Sequence, residues 1–292
     1  MQFNVLGDLE VVQGGRHGIS ARQQGIVLAA LLSRPGRVVS MEELITEVWG
    51  SRPTRRATAS IYVHISQLRK FLSKPTGNGP AILTKEPGYL LTEEGTSLDY
   101  EEFRRLTERG RELHRLGEHE QAAERLRNAL GLWRGPAFRD LRDGPVVSAL
   151  ANWLDELRLE CAQMLVTSRF RLGRYQESIP LLFDLVIERP LDETFYQQLM
   201  FALFHSHRRA EALEVYQVAR NALNEELGLD PCGELRDLHR AIIIAERAPS
   251  QRARLHTLPP TAAKTGFRRP VDDVRERGIP TATIGRMYKG AP

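Results

Sequence analysis

The sequence predicts a mainly α-helical chain in two parts: a small α+β module of short strands, three helices and a hairpin, followed by an all-α array. Three observations carry this reading. Residues 58–72 put Ile61, Ile65, Leu68 and Leu72 on one narrow stripe of a helix that turns about 100° per residue. Short alternating segments precede that helix and a hairpin pattern follows it. Beyond residue 98, helical periodicity is nearly unbroken and a helix-start theme recurs.

The bulk numbers bound the class. A chain of 292 residues suits roughly two domains. Hydrophobic residues make up 41% and charged residues 27%, enough apolar material for a buried core. No apolar run approaches the ~18 residues of a membrane span, so no membrane partner is expected. Met1–Val5 lacks the basic and apolar regions of a signal peptide. Cys161 and Cys232 have no cluster of ligands around them. They read as reduced, packed thiols of a cytoplasmic protein, a disulfide between them being the lesser alternative.

The net charge of +4 is uneven. Residues 1–97 hold 11 Lys and Arg against 8 Asp and Glu; residues 98–248 hold 21 against 26; residues 249–292 hold 9 against 3. A basic start, an acidic middle and a basic end point to an anionic partner at the ends and protein contacts between.

Taken in order, residues 2–19 read as short strands. Phe3/Val5 and Leu9/Val11 alternate with polar residues, and Gly7-Asp8 and Gly14-Gly15 supply turns. Residues 21–34 read as a helix with Ile26, Leu28, Ala29, Leu31 and Leu32 on its apolar side, stopped by Pro35-Gly36. Val38-Val39 is a brief extended piece. Ser40-Met41-Glu42-Glu43 is a capping box, in which the Ser40 hydroxyl and the Glu43 carboxylate each accept from a backbone N–H at the helix start. It opens a short helix ended by Gly50. Ser51–Arg56 is a basic loop. The helix of residues 58–72 follows and ends near Pro75. Ile82-Leu83-Thr84 and Tyr89-Leu90-Leu91 then form a hairpin around Lys85-Glu86-Pro87-Gly88.

Strands, three helices and a hairpin make a winged helix-turn-helix, whose third helix enters the DNA major groove. The outer face of residues 58–72 carries Ala59, Val63, Ser66 and Lys70, flanked by Tyr62 and Gln67, and no Asp or Glu occurs from Ala57 to Lys85. A small, polar, acid-free face suits the groove. Gln67 offers a donor and an acceptor together, as adenine requires. Val63 offers apolar contact, as a thymine methyl requires. Tyr62 joins these as a base contact or caps the core edge. Ser60, Arg69 and Lys70 are placed to meet phosphate, with an acidic neighbour as the alternative partner for Arg69. His64 leans towards the apolar stripe, for packing or a phosphate bond.

The run from Ser60 to Lys70, then Gly88-Tyr89, resembles the recognition helix and wing of the OmpR/PhoB-type DNA-binding domain. Val27–Leu32, Leu44 and Trp49-Gly50 resemble its earlier helices. That resemblance covers nearly all of residues 1–97. It implies a basic wing contact at Lys85. Glu86 departs from the pattern and Pro87 stiffens the tip, so backbone contact is expected there rather than deep minor-groove insertion. It also implies that Arg52, Arg55 and Arg56, between the second and third helices, face polymerase or the DNA backbone. A solvated loop is the plainer alternative.

Residues 98–248 carry the helical array. Leu116-Gly117-Glu118, Leu172-Gly173-Arg174 and Ser206-His207-Arg208 share the helix-start theme. Gly173 and His207 stand 34 residues apart, the tetratricopeptide period. Small residues Ala122, Ser178 and Ala212 coincide, as close helix pairing requires, and Tyr196, Leu199 and Leu203 are spaced to pack. Gly117 is out of phase, so the array is irregular.

Asp99–Phe103, Leu130–Ala137 with its Trp133-Arg134-Gly135 run, and Glu226–Pro231 resemble recurring segments of the bacterial transcriptional activator domain in the Streptomyces antibiotic regulatory proteins. This resemblance reaches from residue 1 to about 247. It implies activation of a secondary-metabolite gene cluster: binding to direct repeats in double-stranded promoter DNA as a homodimer, and recruitment of RNA polymerase holoenzyme at the nucleoid. Residues 249–292 form a basic tail without periodicity, for which the family offers no template.

No catalytic residue, cofactor or metal site is expected. The chain has no G-x-x-x-x-G-K-[ST], H-E-x-x-H, C-x-x-C or G-x-S-x-G pattern, and His205 and His207 do not share a helical face. The DNA-binding module starts at the N-terminus, so a preceding phospho-acceptor domain is not expected. A helical-repeat adaptor binding only proteins, or a repressor of the same fold, are the competing readings.

Overall fold

A computed structural model describes residues 1–12, 15–19, 21–73 and 81–245. In chain order its elements are β1 (Gln2–Asn4), β2 (Glu10–Val12), β3 (Arg16–Gly18), α1 (Arg22–Ser33), β4 (Val39–Ser40), α2 (Met41–Trp49), α3 (Ala57–Leu72), β5 (Ile82–Lys85), β6 (Gly88–Leu91), β7 (Ser97–Leu98), α4 (Asp99–Arg115), α5 (His119–Leu130), α6 (Pro145–Arg171), α7 (Ile179–Glu188), α8 (Glu193–His205), α9 (Arg209–Leu227) and α10 (Gly233–Ile244). The expected Gly14 turn, the helix stop near Pro75 and the tail 249–292 lie outside the described residues.

The described chain divides into two compact units, residues 1–104 with 131–158 and residues 105–130 with 159–245. The first unit holds a sheet of order β3-β2-β1-β7, antiparallel except for the β1–β7 pair. It also holds the winged helix. α1 buries Gly25 through Ser33 without a break, which places it at the centre of the three-helix cluster. The capping box of α2 forms as the sequence requires: Glu43 N–H donates to Ser40 Oγ at 3.1 Å and Ser40 N–H to Glu43 Oε2 at 2.9 Å. Arg34 Nη1 pairs with Glu43 Oε1 at 2.7 Å and ties the end of α1 to this start. The Glu43 carboxyl lies below its usual range, because donors from Ser40 and Arg34 together outweigh burial. α3 buries Ala57, Ile61, Ile65, Leu68 and Leu72, the stripe read from periodicity. β5 and β6 form the wing, and β4 pairs with the far side of β6, giving the order β4-β6-β5.

One expectation changes here. Residues 131–144 are not helical beyond one 3-10 turn at Arg139–Leu141. Residues 131–158 pack within the first compact unit. The physical reason is a set of long-range backbone bonds. Arg134 N–H donates to the Leu6 carbonyl and Phe138 N–H to that of Val5, both at 2.8 Å. The Asp99 carboxylate accepts from Val5 N–H at 2.8 Å, from Leu6 N–H at 3.1 Å and from Arg134 Nη2 at 3.0 Å. Trp133 stands edge-on to Phe103 at 5.4 Å under the Arg158 guanidinium. The Trp-Arg-Gly run is therefore the staple that closes this unit.

In the second unit, Gly117, Gly173 and His207 all take left-handed backbone, with φ of 80°, 71° and 62°. Each is followed by the same helix-closing bond, at 3.0 Å from Glu118 N–H to Leu113 O, 2.8 Å from Arg174 to Arg169, and 2.9 Å from Arg208 to Leu203. The recurring theme is thus a recurring Schellman-type turn. Ala122, Ser178 and Ala212 are fully buried, as are Ala202 and Leu203. The core of this unit is built on Leu182, Tyr196, Leu199, Ala212 and Leu235. Cys161 is buried, and its thiol is pushed up to about 12 by that burial. Cys232 is exposed rather than packed, because it begins α10 in a loop; both thiols are free.

Candidate nucleic-acid interface

The face of α3 opposite its buried stripe is open. Tyr62 is 55% exposed and Val63 52%; Ser66, Gln67 and Lys70 are exposed as well, and Ser60 in the first turn is half-buried. Among the described residues of the first unit, the large hydrophobics left exposed are Tyr62, Val63, Phe71 and Leu83, all on α3 or β5. Tyr62 and Val63, the two most exposed of these, leave apolar surface open on the side of α3 away from its buried stripe, as a contact surface requires.

The wing stands beside this face. Its turn places Lys85 opposite Gly88, and Lys85, Glu86 and Pro87 are all exposed. Gly88 is required where it is: a Cβ there would stand 2.0 Å from the Val39 carbonyl oxygen, across the β4–β6 pair. Tyr89, one residue on, is buried; burial raises its phenol pKa, aided by the nearby Tyr62 and opposed by Arg69. Arg52, Arg55 and Arg56 are all exposed in the loop before α3.

His64 is half-buried and its two ring nitrogens find no hydrogen-bond partner among the described residues. Burial pushes the imidazole below the usual histidine range; the Gln67 side chain, close by but outside hydrogen-bonding geometry, opposes it. Arg69 is engaged within the protein. Its Nε donates to the Ile82 carbonyl at 2.9 Å, its Nη2 donates to Thr84 Oγ1 at 2.8 Å, and its guanidinium lies 5.7 Å from the Tyr89 ring centroid.

Periodicity did not reveal the side chains that tie α1 and α2 to residues 140–147. Glu47, near the end of α2, is almost fully buried and accepts from Val146 N–H at 2.8 Å and Val147 N–H at 2.9 Å, in the first turn of α6. Burial raises its carboxyl pKa against those two donors. One signal for it existed: the residue before Pro145 is Gly144, which has no side chain to cap the helix, so the cap must come from elsewhere. Arg22 at the start of α1 pairs with Asp143 and donates to the Asp140 carbonyl.

Among the described residues no group of three or more His, Cys, Asp or Glu is placed to hold a metal ion, and no helix is long and apolar enough to cross a membrane.

Buried stripe, open acid-free face and adjoining wing define a winged helix-turn-helix DNA-binding protein. Comparison with known proteins gives the class its particular form. The model of the bacterial transcriptional activator domain matches residues 98–243, and that of the C-terminal domain of transcriptional regulatory proteins matches residues 20–91. Regulatory protein DnrI of Streptomyces peucetius is 34% identical over 253 residues, 84% of this chain and 93% of that one. Transcriptional regulator RedD of Streptomyces coelicolor is 32% identical over 249 residues, covering 83% of this chain and 70% of RedD. A solved structure of Mycobacterium tuberculosis EmbR in complex with a low-affinity phosphopeptide superposes with a TM-score of 0.71 at 30% identity, over 88% of this chain and 68% of that one. The chain belongs to the Streptomyces antibiotic regulatory protein family of transcriptional regulators.

Proposed function

We propose that the protein activates a secondary-metabolite, antibiotic-type gene cluster in the cytoplasm, binding direct repeats near promoters as a homodimer and recruiting RNA polymerase holoenzyme. The observation that carries this reading is the outer face of α3, where exposed Val63, Ser66 and Gln67 stand beside Lys70 on a helix that holds no Asp or Glu. In this reading Val63, Ser66, Gln67 and Tyr62 meet base edges, and Ser60, Lys70 and Lys85 meet phosphate. Arg52, Arg55 and Arg56 face polymerase or the DNA backbone. The helical residues beyond 98 supply the protein contacts.

The test is a binding-site selection with the parent chain, Gln67→Ala and Val63→Ala. Each variant should relax preference at its own position, by about 1–3 kcal/mol per lost base contact, and leave other positions alone. Selection of the parent motif with undiminished stringency by both variants overturns the base-reading assignment. A salt titration on the selected duplex separates this reading from a protein-only adaptor, because phosphate contacts make log K fall with log salt.

A further inference from the structure

β5 is the outer strand of the wing: in the order β4-β6-β5 it pairs with β6 on one side only. Arg69 of α3 is hydrogen-bonded to it. Two of its donors go to residues two apart on β5, the Ile82 carbonyl and the Thr84 hydroxyl, at 2.9 and 2.8 Å. A guanidinium is a rigid planar fork, so two such bonds fix direction as well as distance. Tyr89 of β6 lies under the same guanidinium, 5.7 Å away. Lys85, at the wing turn, is the residue after Thr84, and Lys70 is the residue after Arg69. One side chain therefore joins the strand that carries one exposed lysine to the helix that carries the other.

We propose that Arg69 is a positioning residue: it sets the wing against the recognition helix so that Lys85 and the outer face of α3 reach one duplex in a fixed register, and it acts through β5 rather than by touching DNA. The proposal rests on the reading of α3 and the wing as the DNA interface. A rigid spacing means the ordering of the wing is met on folding, not on binding. Lysine cannot replace arginine here, because a single ammonium lacks the planar fork.

The experiment uses the full chain and the duplex selected by the parent, with Arg69→Ala, Arg69→Lys, Thr84→Val, Lys85→Ala and the double variant Arg69→Ala/Lys85→Ala. Affinity should fall about tenfold for Arg69→Ala, with Arg69→Lys failing to restore it. Thr84→Val, which removes no charge, should weaken binding in the same direction. Lys85→Ala should cost clearly less in the Arg69→Ala background than in the parent, and hydroxyl-radical protection should fade on the wing side while the α3 side persists. Additive losses, together with a neutral Thr84→Val, would mean that Arg69 touches phosphate directly, and would overturn the proposal. Thr84→Val keeps the charge and the core, so it decides the matter even where Arg69→Ala fails to fold. If neither Lys85→Ala nor Lys70→Ala changes binding, the interface reading itself has failed, a separate result from additivity.

Discussion

Glu47 and Val147, a hundred residues apart in the chain, are joined by a hydrogen bond of 2.9 Å from the Val147 N–H to the Glu47 carboxylate, whose second oxygen takes Val146 N–H at 2.8 Å. The end of the second helix of the DNA-binding module thus caps α6. Glu47→Ala leaves two buried N–H groups without an acceptor and should cost about 1–3 kcal/mol in urea unfolding. Glu47→Gln keeps one acceptor and should cost less. Gly144→Ala brings a Cβ to 2.2 Å from the Glu47 carboxyl carbon and should also destabilise. An unchanged midpoint in all three would mean that water replaces the cap.

Gly88 tests the wing. A Cβ there meets the Val39 carbonyl oxygen at 2.0 Å and Ser40 Cα at 2.7 Å, both backbone atoms that cannot rotate aside. Gly88→Ala should part β4 from β6, lower stability by about 1–3 kcal/mol and weaken DNA binding. Thermal unfolding read alongside a binding titration checks both; an alanine variant with parental values in each would show that the sheet shifts without cost.

Lys70 stands exposed one turn beyond Ser66. As a point charge on phosphate it should weaken specific and non-specific binding alike when replaced by alanine, flattening the slope of log K against log salt by about 0.9 for each lost phosphate contact. A slope equal to that of the parent removes Lys70 from the interface.

His207 occupies the left-handed turn that Gly117 and Gly173 occupy in their own repeats. Glycine carries no Cβ penalty there, so His207→Gly should leave stability within about 1 kcal/mol of the parent. The β-branched His207→Val should lose about 1–2 kcal/mol. Equal urea midpoints for the valine and parent chains would show that the turn has another conformation open to it.

The helical unit should weaken in mild acid. His114 Nδ1 lies 2.8 Å from Ser168 Oγ, and its ring lies 5.3 Å from that of His119. Burial lowers the pKa of both, helped by Arg171 and, for His114, by His119 itself. His239, stacked on Tyr216 at 3.9 Å, is lowered by burial too. A lowered histidine pKa means the unfolded chain binds protons first. Stability is then full above the ordinary value of about 6.5 and is lost as pH falls from there towards the folded value. Unfolding midpoints at pH 7.5 and 5.5 should differ, and the difference should shrink in His114→Gln/His119→Gln. A double variant with the parental difference would place the effect elsewhere.

What was legible in the residues was what repeats locally. The stripe Ile61, Ile65, Leu68 and Leu72 follows from helical pitch alone, the Ser40–Glu43 box spans one turn, and the 34-residue step from Gly173 to His207 marks equivalent turns. The exposed face of α3 was readable for the same reason: once one side of a helix is buried, the other is known. Tertiary structure alone decided how these pieces are held. Asp99 meets Val5 and Leu6, Arg134 meets Leu6, Glu47 meets Val146 and Val147, and Arg69 turns to β5. Each contact joins residues with no periodic relation, and a carboxylate or guanidinium carries no mark of its partner until the chain has folded. Position alone gave no sign that Arg134 and Phe138 donate their backbone N–H groups to Leu6 and Val5 in the loop after β1, which packs residues 131–158 into the first compact unit.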